Sequence, residues 1–140
     1  NVMLKNKDIL LIEDDSIDSM SFKRALSELG IKNKVRHVEN GEEGLAYLSN
    51  IENSRPGIIF MDINMPRMTG PEFLKIALEK NLVSYIPVVV LTTSREEKDK
   101  TECFDLGVSG YMIKDIHFKD FVITMKTIFD YWTLCDFPGL

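Results

Sequence analysis

Glu13, Asp14 and Asp62 each sit at the end of an apolar run, and their chemistry dominates the chain. Asp62 follows Gly57-Ile58-Ile59-Phe60-Met61 and precedes Met65-Pro66-Arg67-Met68-Thr69-Gly70, while Glu13-Asp14-Asp15 follows Ile9-Leu10-Leu11-Ile12. Short apolar runs bounded by turn residues read as buried β-strands. A carboxylate carried to the rim of a sheet is exposed enough to react and rigid enough to be aimed. Unpaired carboxylates that close would repel and raise one another's pKa. A hard cation removes that repulsion, and Mg²⁺ takes one or two carboxylates while keeping several waters. Two further apolar runs end in complementary groups: Val88-Val89-Val90-Leu91 leads into Thr92-Thr93-Ser94, and Gly110-Tyr111-Met112-Ile113 into Lys114. A hydroxyl and an ammonium beside an acidic metal site suit phosphoryl transfer. Asp62 would act as nucleophile and become an acyl phosphate. The cation and Lys114 would neutralise charge on the transferring oxygens, and Thr92 would hydrogen-bond one of them. Each piece alone has a plainer reading. Asp14, Asp15 or Ser16 could cap a helix, Thr92 could close a turn, and Lys114 could be a surface lysine. Four strand ends carrying matched groups are far more specific than any one of them.

These positions need a scaffold. Strand patterns fall at Asp8–Ile12, Lys34–Val38, Ile58–Asp62, Val88–Leu91 and Gly110–Ile113, with helical patterns near Ser16–Leu29, Glu42–Ser49, Pro71–Asn81, Arg95–Leu106 and Phe118–Thr133. The alternation predicts an α/β fold, a flavodoxin-like doubly wound five-stranded parallel sheet with five helices. In the order 2-1-3-4-5, strand order reverses between strands one and three, the place where open parallel sheets bind ligands. Those are the strands ending in Glu13-Asp14 and Asp62. Neighbouring strands lie about 4.8 Å apart, so the carboxylates face one small volume. In the last helix Phe118, Phe121, Val122, Met125, Ile128, Phe129 and Trp132 recur at helical spacing, a stripe that packs on the sheet. The helix opening Arg95-Glu96-Glu97-Lys98-Asp99-Lys100 carries few large apolar residues, so little burial opposes its displacement.

The 140 residues suit one domain, 1–140, with a core about 7–133 and a short tail 134–140. A net charge of −5 argues against direct nucleic-acid binding, which needs a basic face. The apolar runs are too short to span a membrane, and the first residues lack a signal peptide's apolar core. Cys103 and Cys135 have no metal-type spacing and read as reduced thiols of a cytoplasmic protein. His37 and His117 suit surface or helix-start positions better than catalysis.

The runs Ile9 to Asp15, Met61 to Gly70, Pro87 to Thr92 and Gly110 to Lys114 resemble, in family order, the receiver domain of two-component response regulators. The resemblance covers about Lys7 to Trp132, and its most specific block surrounds Asp62. It implies that Asp62 accepts phosphate from a histidine kinase or a phosphotransfer protein in a phosphorelay, with Mg²⁺ as cofactor. It implies that Asp14 binds the metal directly and Glu13 through water, with Asp62 and the Asn64 main-chain carbonyl completing the set. Lys114 would contact the phosphoryl group. Thr92 would move toward it after transfer, and Tyr111, at the switch-aromatic position, would change rotamer as Thr92 moves. Asn64 and Ser94 lie where the family tunes acyl-phosphate lifetime. The resemblance implies a phosphoacceptor switch, limited to self-phosphorylation and slow self-dephosphorylation. The family usually has a proline after the lysine, joined by a cis peptide. Asp115 stands there instead, so the bond is either trans or a strained cis form, and Asp115 could cap the last helix.

The chain is also similar to the stand-alone receivers paired with phytochrome-type kinases, through Val88 to Ser94 and Phe129-Asp130-Tyr131-Trp132. Output would pass to a protein partner or through a homodimer by the last strand and helices, with Trp132, Phe137 and the Asp136-Phe137-Pro138 tail as contacts. Three other readings compete. A degenerate receiver would serve only as a docking module, but the intact set Glu13, Asp14, Asp62, Thr92 and Lys114 speaks against it. A haloacid-dehalogenase-type phosphatase shares Asp62-Ile63-Asn64, but that family wants its nucleophile on the first strand and an aspartate where Asn64 stands. A flavodoxin-like electron carrier needs hydroxyls and glycine where Glu13-Asp14-Asp15 stands.

Overall fold

The computed structural model describes residues 6–114 and 117–138. The Lys114–Asp115 peptide and the capping role considered for Asp115 lie outside these residues. Among the described residues ten elements alternate: β1 (Ile9–Ile12), α1 (Ser16–Glu28), β2 (Val35–Val38), α2 (Gly41–Ser49), β3 (Ile58–Met61), α3 (Gly70–Glu79), β4 (Val88–Thr92), α4 (Glu97–Asp105), β5 (Gly110–Ile113) and α5 (Phe118–Leu134). The sheet is parallel throughout, in the order β2-β1-β3-β4-β5. This is the order and helix count that the sequence predicts.

Strand side chains alternate between two cores, as the pleat requires. Leu10, Ile12, Ile59, Met61, Val88 and Val90 face a core that includes Phe73, Leu74 and Ala77 of α3. Ile9, Leu11, Ile58, Phe60, Val89 and Leu91 face the other, formed with Phe22 and Leu26 of α1 and Phe121, Met125, Ile128 and Phe129 of α5. Phe60 anchors this second layer, edge-on to Phe22 at 5.0 Å and stacked near Phe129 at 5.7 Å between ring centroids. The apolar stripe read from the last helix is therefore core-facing, with Phe118, Val122 and Trp132 at its margin.

Helix starts follow their caps. Asp15 caps α1, its carboxylate accepting the Ile17 and Asp18 N–H groups at 2.9 Å each. Asn40 caps α2, whose start at Gly41 lies one residue ahead of the expected Glu42. Thr69 and Glu72 form a reciprocal capping box at α3, which moves that start forward to Gly70. The N-cap of α5 is His117, without a side-chain hydrogen bond. Helix α4 also lacks a side-chain cap on its Glu96 and buries only Cys103, in keeping with a weakly anchored element. It starts two residues later than expected, at Glu97. Ser94 takes up a turn instead, its hydroxyl accepting the Glu96 N–H at 3.3 Å.

Candidate functional site

Continuing the pleat one residue past β1, β3 and β5 sends Glu13, Asp62 and Lys114 to the α1–α5 side of the sheet. The contacts agree. Lys114 Nζ donates to Glu13 Oε1 at 2.9 Å, to Asp62 Oδ2 at 3.2 Å and to Asp18 Oδ2 at 2.7 Å. Asp62 Oδ1 accepts the Ile63 N–H at 2.7 Å, so both its oxygens are held and the carboxylate plane is fixed. The β3–α3 loop folds back beneath it. Met68 N–H donates to the Pro66 carbonyl at 2.7 Å across Arg67, whose φ is 68°. The Gly70 N–H reaches the Ile63 carbonyl at 2.8 Å. A Cβ on Gly70 would stand 2.6 Å from the Asp62 carbonyl oxygen and 3.1 Å from Ile63 Cα. Only glycine allows this approach, which lets the chain turn sharply after β3.

Glu13, Asp14 and Asp62 each offer a carboxylate oxygen within 4.8 Å of the others. Their burial is graded: Glu13 is buried, Asp62 half-buried and Asp14 exposed, so the cluster opens to solvent on the Asp14 side. Burial pushes the Glu13 carboxyl up to about 6, against the opposing hydrogen bond from Lys114. Burial also opposes charge on Lys114, but the hydrogen bonds to Asp18 and Glu13 and the charge of Asp62 more than offset it. The ammonium is held above its usual range. An oxygen-only donor set with one ammonium for several carboxylates is the chemistry of a hard divalent cation. These residues fit Mg²⁺.

Thr92 is brought close in sequence register but turned elsewhere. It is wholly buried, on the α2–α4 side by the alternation of β4, and its hydroxyl accepts the Ser94 N–H at 3.2 Å. Tyr111, half-buried, donates its hydroxyl to the Ser94 carbonyl at 2.9 Å, and its ring stacks near Phe104 at 6.5 Å. The Ser94 hydroxyl donates to Asp99 Oδ2 at 2.5 Å. Thr92, Ser94, Tyr111 and Asp99 thus form one hydrogen-bonded chain running from β4 to α4 and β5. Asn64 lies exposed in the loop two residues after Asp62.

Asp18 is the site residue that motif reading missed. Its only sequence signal is a position in the first turn of α1, on the same sheet face as Lys114. His37, expected at the surface or a helix start, is instead half-buried on β2, with its ring Nε2 2.7 Å from the Glu13 carbonyl. His117 does stand at a helix start, and both cysteines are free thiols. Among the described residues no helix is long and apolar enough to cross a membrane.

Comparison with known proteins agrees with this geometry. The family model of the response regulator receiver domain matches residues 9–126. A probable methanogenesis regulatory protein, FilR2, of Methanothrix harundinacea is 33% identical over 89% of this chain and 82% of its own. Response regulator Rcp1 of Synechocystis is 34% identical over 90% of this chain and 88% of its own. The structure of the Mn²⁺-bound form of Rcp1 superposes with a TM-score of 0.83, at 32% identity over 95% of this chain and 99% of that one. The phosphorylated cyanobacterial phytochrome response regulator RcpA superposes with a TM-score of 0.86, at 33% identity over 96% of this chain and 99% of that one. A family match across the whole sheet, joined to relatives alike over most of their length, places this chain in the response regulator receiver domain family.

Proposed function

We propose that this chain is a single-domain response regulator in which Asp62 is the phosphoacceptor, in a reaction that needs Mg²⁺. The observation that carries the reading is the meeting of Asp62 with Glu13, Asp14 and Lys114 at the carboxyl rim of β1, β3 and β5. An Asp62 carboxylate oxygen attacks the phosphorus of a phosphohistidine on a histidine kinase or phosphotransfer protein. The new O–P bond forms as the N–P bond breaks, and the histidine nitrogen keeps the electron pair and takes a proton from solvent. Lys114 follows the charge onto the phosphoryl oxygens. Asp14 directly and Glu13 through water, with Asp62 and the Asn64 main-chain carbonyl, would hold the cation, which would supply charge neutralisation at the phosphoryl group.

The output step belongs to the chain Thr92–Ser94–Tyr111. When Thr92 turns to the phosphoryl group it gives up the Ser94 N–H, and the loop whose carbonyl holds the Tyr111 hydroxyl is freed to rearrange. A charge event at Asp62 then biases a surface made of β5, α4 and α5. Slow hydrolysis, with Asn64 and Ser94 near the phosphoryl group, resets the switch. The likeness to Rcp1 and to the phytochrome response regulator RcpA supports a phytochrome-type kinase as the phosphoryl source. Tyr131, Trp132 and Phe137 gather at the end of α5, with ring centroids 4.8 Å and 6.0 Å apart in turn, and Tyr131 is largely exposed. This aromatic end supports docking to a protein partner or a second copy.

Incubation with acetyl phosphate and Mg²⁺, followed by intact mass, tests the assignment. One phosphoryl group should be gained by the wild type and none by Asp62→Asn. Stoichiometric uptake by that variant would overturn it.

A further inference from the structure

Lys114 makes its shortest contact not with the proposed phosphoacceptor or metal ligands but with Asp18, at 2.7 Å against 2.9 Å to Glu13 and 3.2 Å to Asp62. Asp18 is not one of the three carboxylates that converge on a common centre. The Lys114 side chain borders a cavity of about 100 Å³ between α1 and α5, lined by the apolar Leu11, Phe22 and Phe121 and by the polar Glu13, Asp18 and Ser21. An ammonium displaced from Glu13 and Asp62 into this cavity, beside the polar Asp18 and Ser21, meets the apolar Leu11, Phe22, Leu91 and Phe121. Burying an unpaired charge among them is prohibitive. Among the described residues, Asp18, on α1 and part-exposed at 39%, is the carboxylate bonded to Lys114 besides Glu13 and Asp62, so it can keep Lys114 paired while leaving those two free.

We propose that Asp18 is a positioning residue: it receives the Lys114 ammonium when Glu13 and Asp62 turn to the divalent cation, keeping Lys114 paired and aimed at the phosphoryl position. This deepens the reading above and rests on it. Without Asp18, Lys114 clings to Glu13 and Asp62 and competes with the cation for them. Cation affinity is then the quantity to measure, and the coupling must pass through Lys114.

Mg²⁺ binding to the full chain is measured by calorimetry for wild type, Asp18→Asn, Lys114→Met and the double variant, with Asp18→Glu as the conservative control. Asp18→Asn should weaken Mg²⁺ about ten-fold, in line with coupling between contacting charged groups, and by less than about two-fold when Lys114 is already Met. Asp18→Glu should restore most of the affinity. Asp18 lies part-exposed in a first helical turn whose cap is the Asp15 side chain, so Asn preserves the helix, and circular dichroism of each variant checks this. An equal loss in both backgrounds would mean that Asp18 acts only as bulk charge, and no loss in either would mean that it does not act. Both results overturn the positioning role while leaving the receiver reading intact. A wild type that binds no Mg²⁺ overturns that reading itself.

Discussion

Replacing Lys114 by Met keeps the aliphatic stem and removes the charge, which separates packing from electrostatics. In the metal-free protein the change strips the hydrogen-bonded cation from Glu13, Asp62 and Asp18, whose side chains are 4%, 13% and 39% exposed. Breaking a fully buried pair costs about 3–5 kcal/mol. Two features reduce that figure here. Glu13, already raised to about 6, is pushed higher once Lys114 is gone and takes up a proton near neutrality, and Asp18 stays wet at the rim. A loss of about 2 kcal/mol is therefore expected without metal. Mg²⁺ brings positive charge to the same carboxylates, and no ammonium remains to compete with it. At a hundred times its Kd a ligand adds about 2.7 kcal/mol, and the variant should bind Mg²⁺ more tightly than the wild type. The stability gap should thus shrink to less than about 1 kcal/mol in excess Mg²⁺. Urea unfolding of both proteins, in EDTA and in Mg²⁺, measures it. The same gap in both conditions, or no gap in EDTA, would refute a shared electrostatic site.

Three further expectations follow from local geometry. Because the folded-state pKa of Glu13, about 6, lies above its ordinary 4.5, its contribution to stability is fully present below 4.5 and is lost as pH rises through 6. Urea unfolding without metal should show the wild type losing about 1 kcal/mol more than Glu13→Gln between pH 4.5 and neutrality, the full shift being screened at this open rim. Gly70→Ala should destabilise by about 2–3 kcal/mol, since the two nearest atoms its Cβ meets are backbone, and thermal unfolding reports it. Ser94→Ala removes the bond to Asp99 from a helix with no other side-chain cap, so amide exchange across Glu97–Asp105 should quicken about ten-fold.

The fold was legible because its strands are short, apolar and bounded by Gly, Pro or acidic residues. Elements such as β5 could be read to the residue. Boundaries slipped where a side chain outside the periodic pattern decides the start: Asn40 and Thr69 begin their helices early, while the Ser94 turn delays α4. The meeting of Glu13, Asp14, Asp62 and Lys114 was legible too, since strand order and the period of two determine it. The orientation of Thr92 was not. A strand end says where a hydroxyl lies, but its partner, the Ser94 N–H, depends on how the following loop turns. Asp18 was hidden for a related reason. Its contact with Lys114 joins the first turn of α1 to the end of β5, 96 residues apart, and needs the packing of α1 beside α5 to be known. His37 was misjudged because β2, at the sheet edge, is half-buried along its whole length, which let an imidazole reach the Glu13 carbonyl.

On the proposed mechanism, carboxylates from separate strands gather one divalent cation and leave Asp62 free to carry phosphate. A crystal structure with Mg²⁺ and beryllofluoride tests it most directly. Fluoroberyllate is expected on an Asp62 oxygen, the cation on Asp14 and Asp62, Lys114 on a fluoride and Thr92 turned from Ser94. A cation bound away from Asp14, or fluoroberyllate on any other side chain, would contradict it.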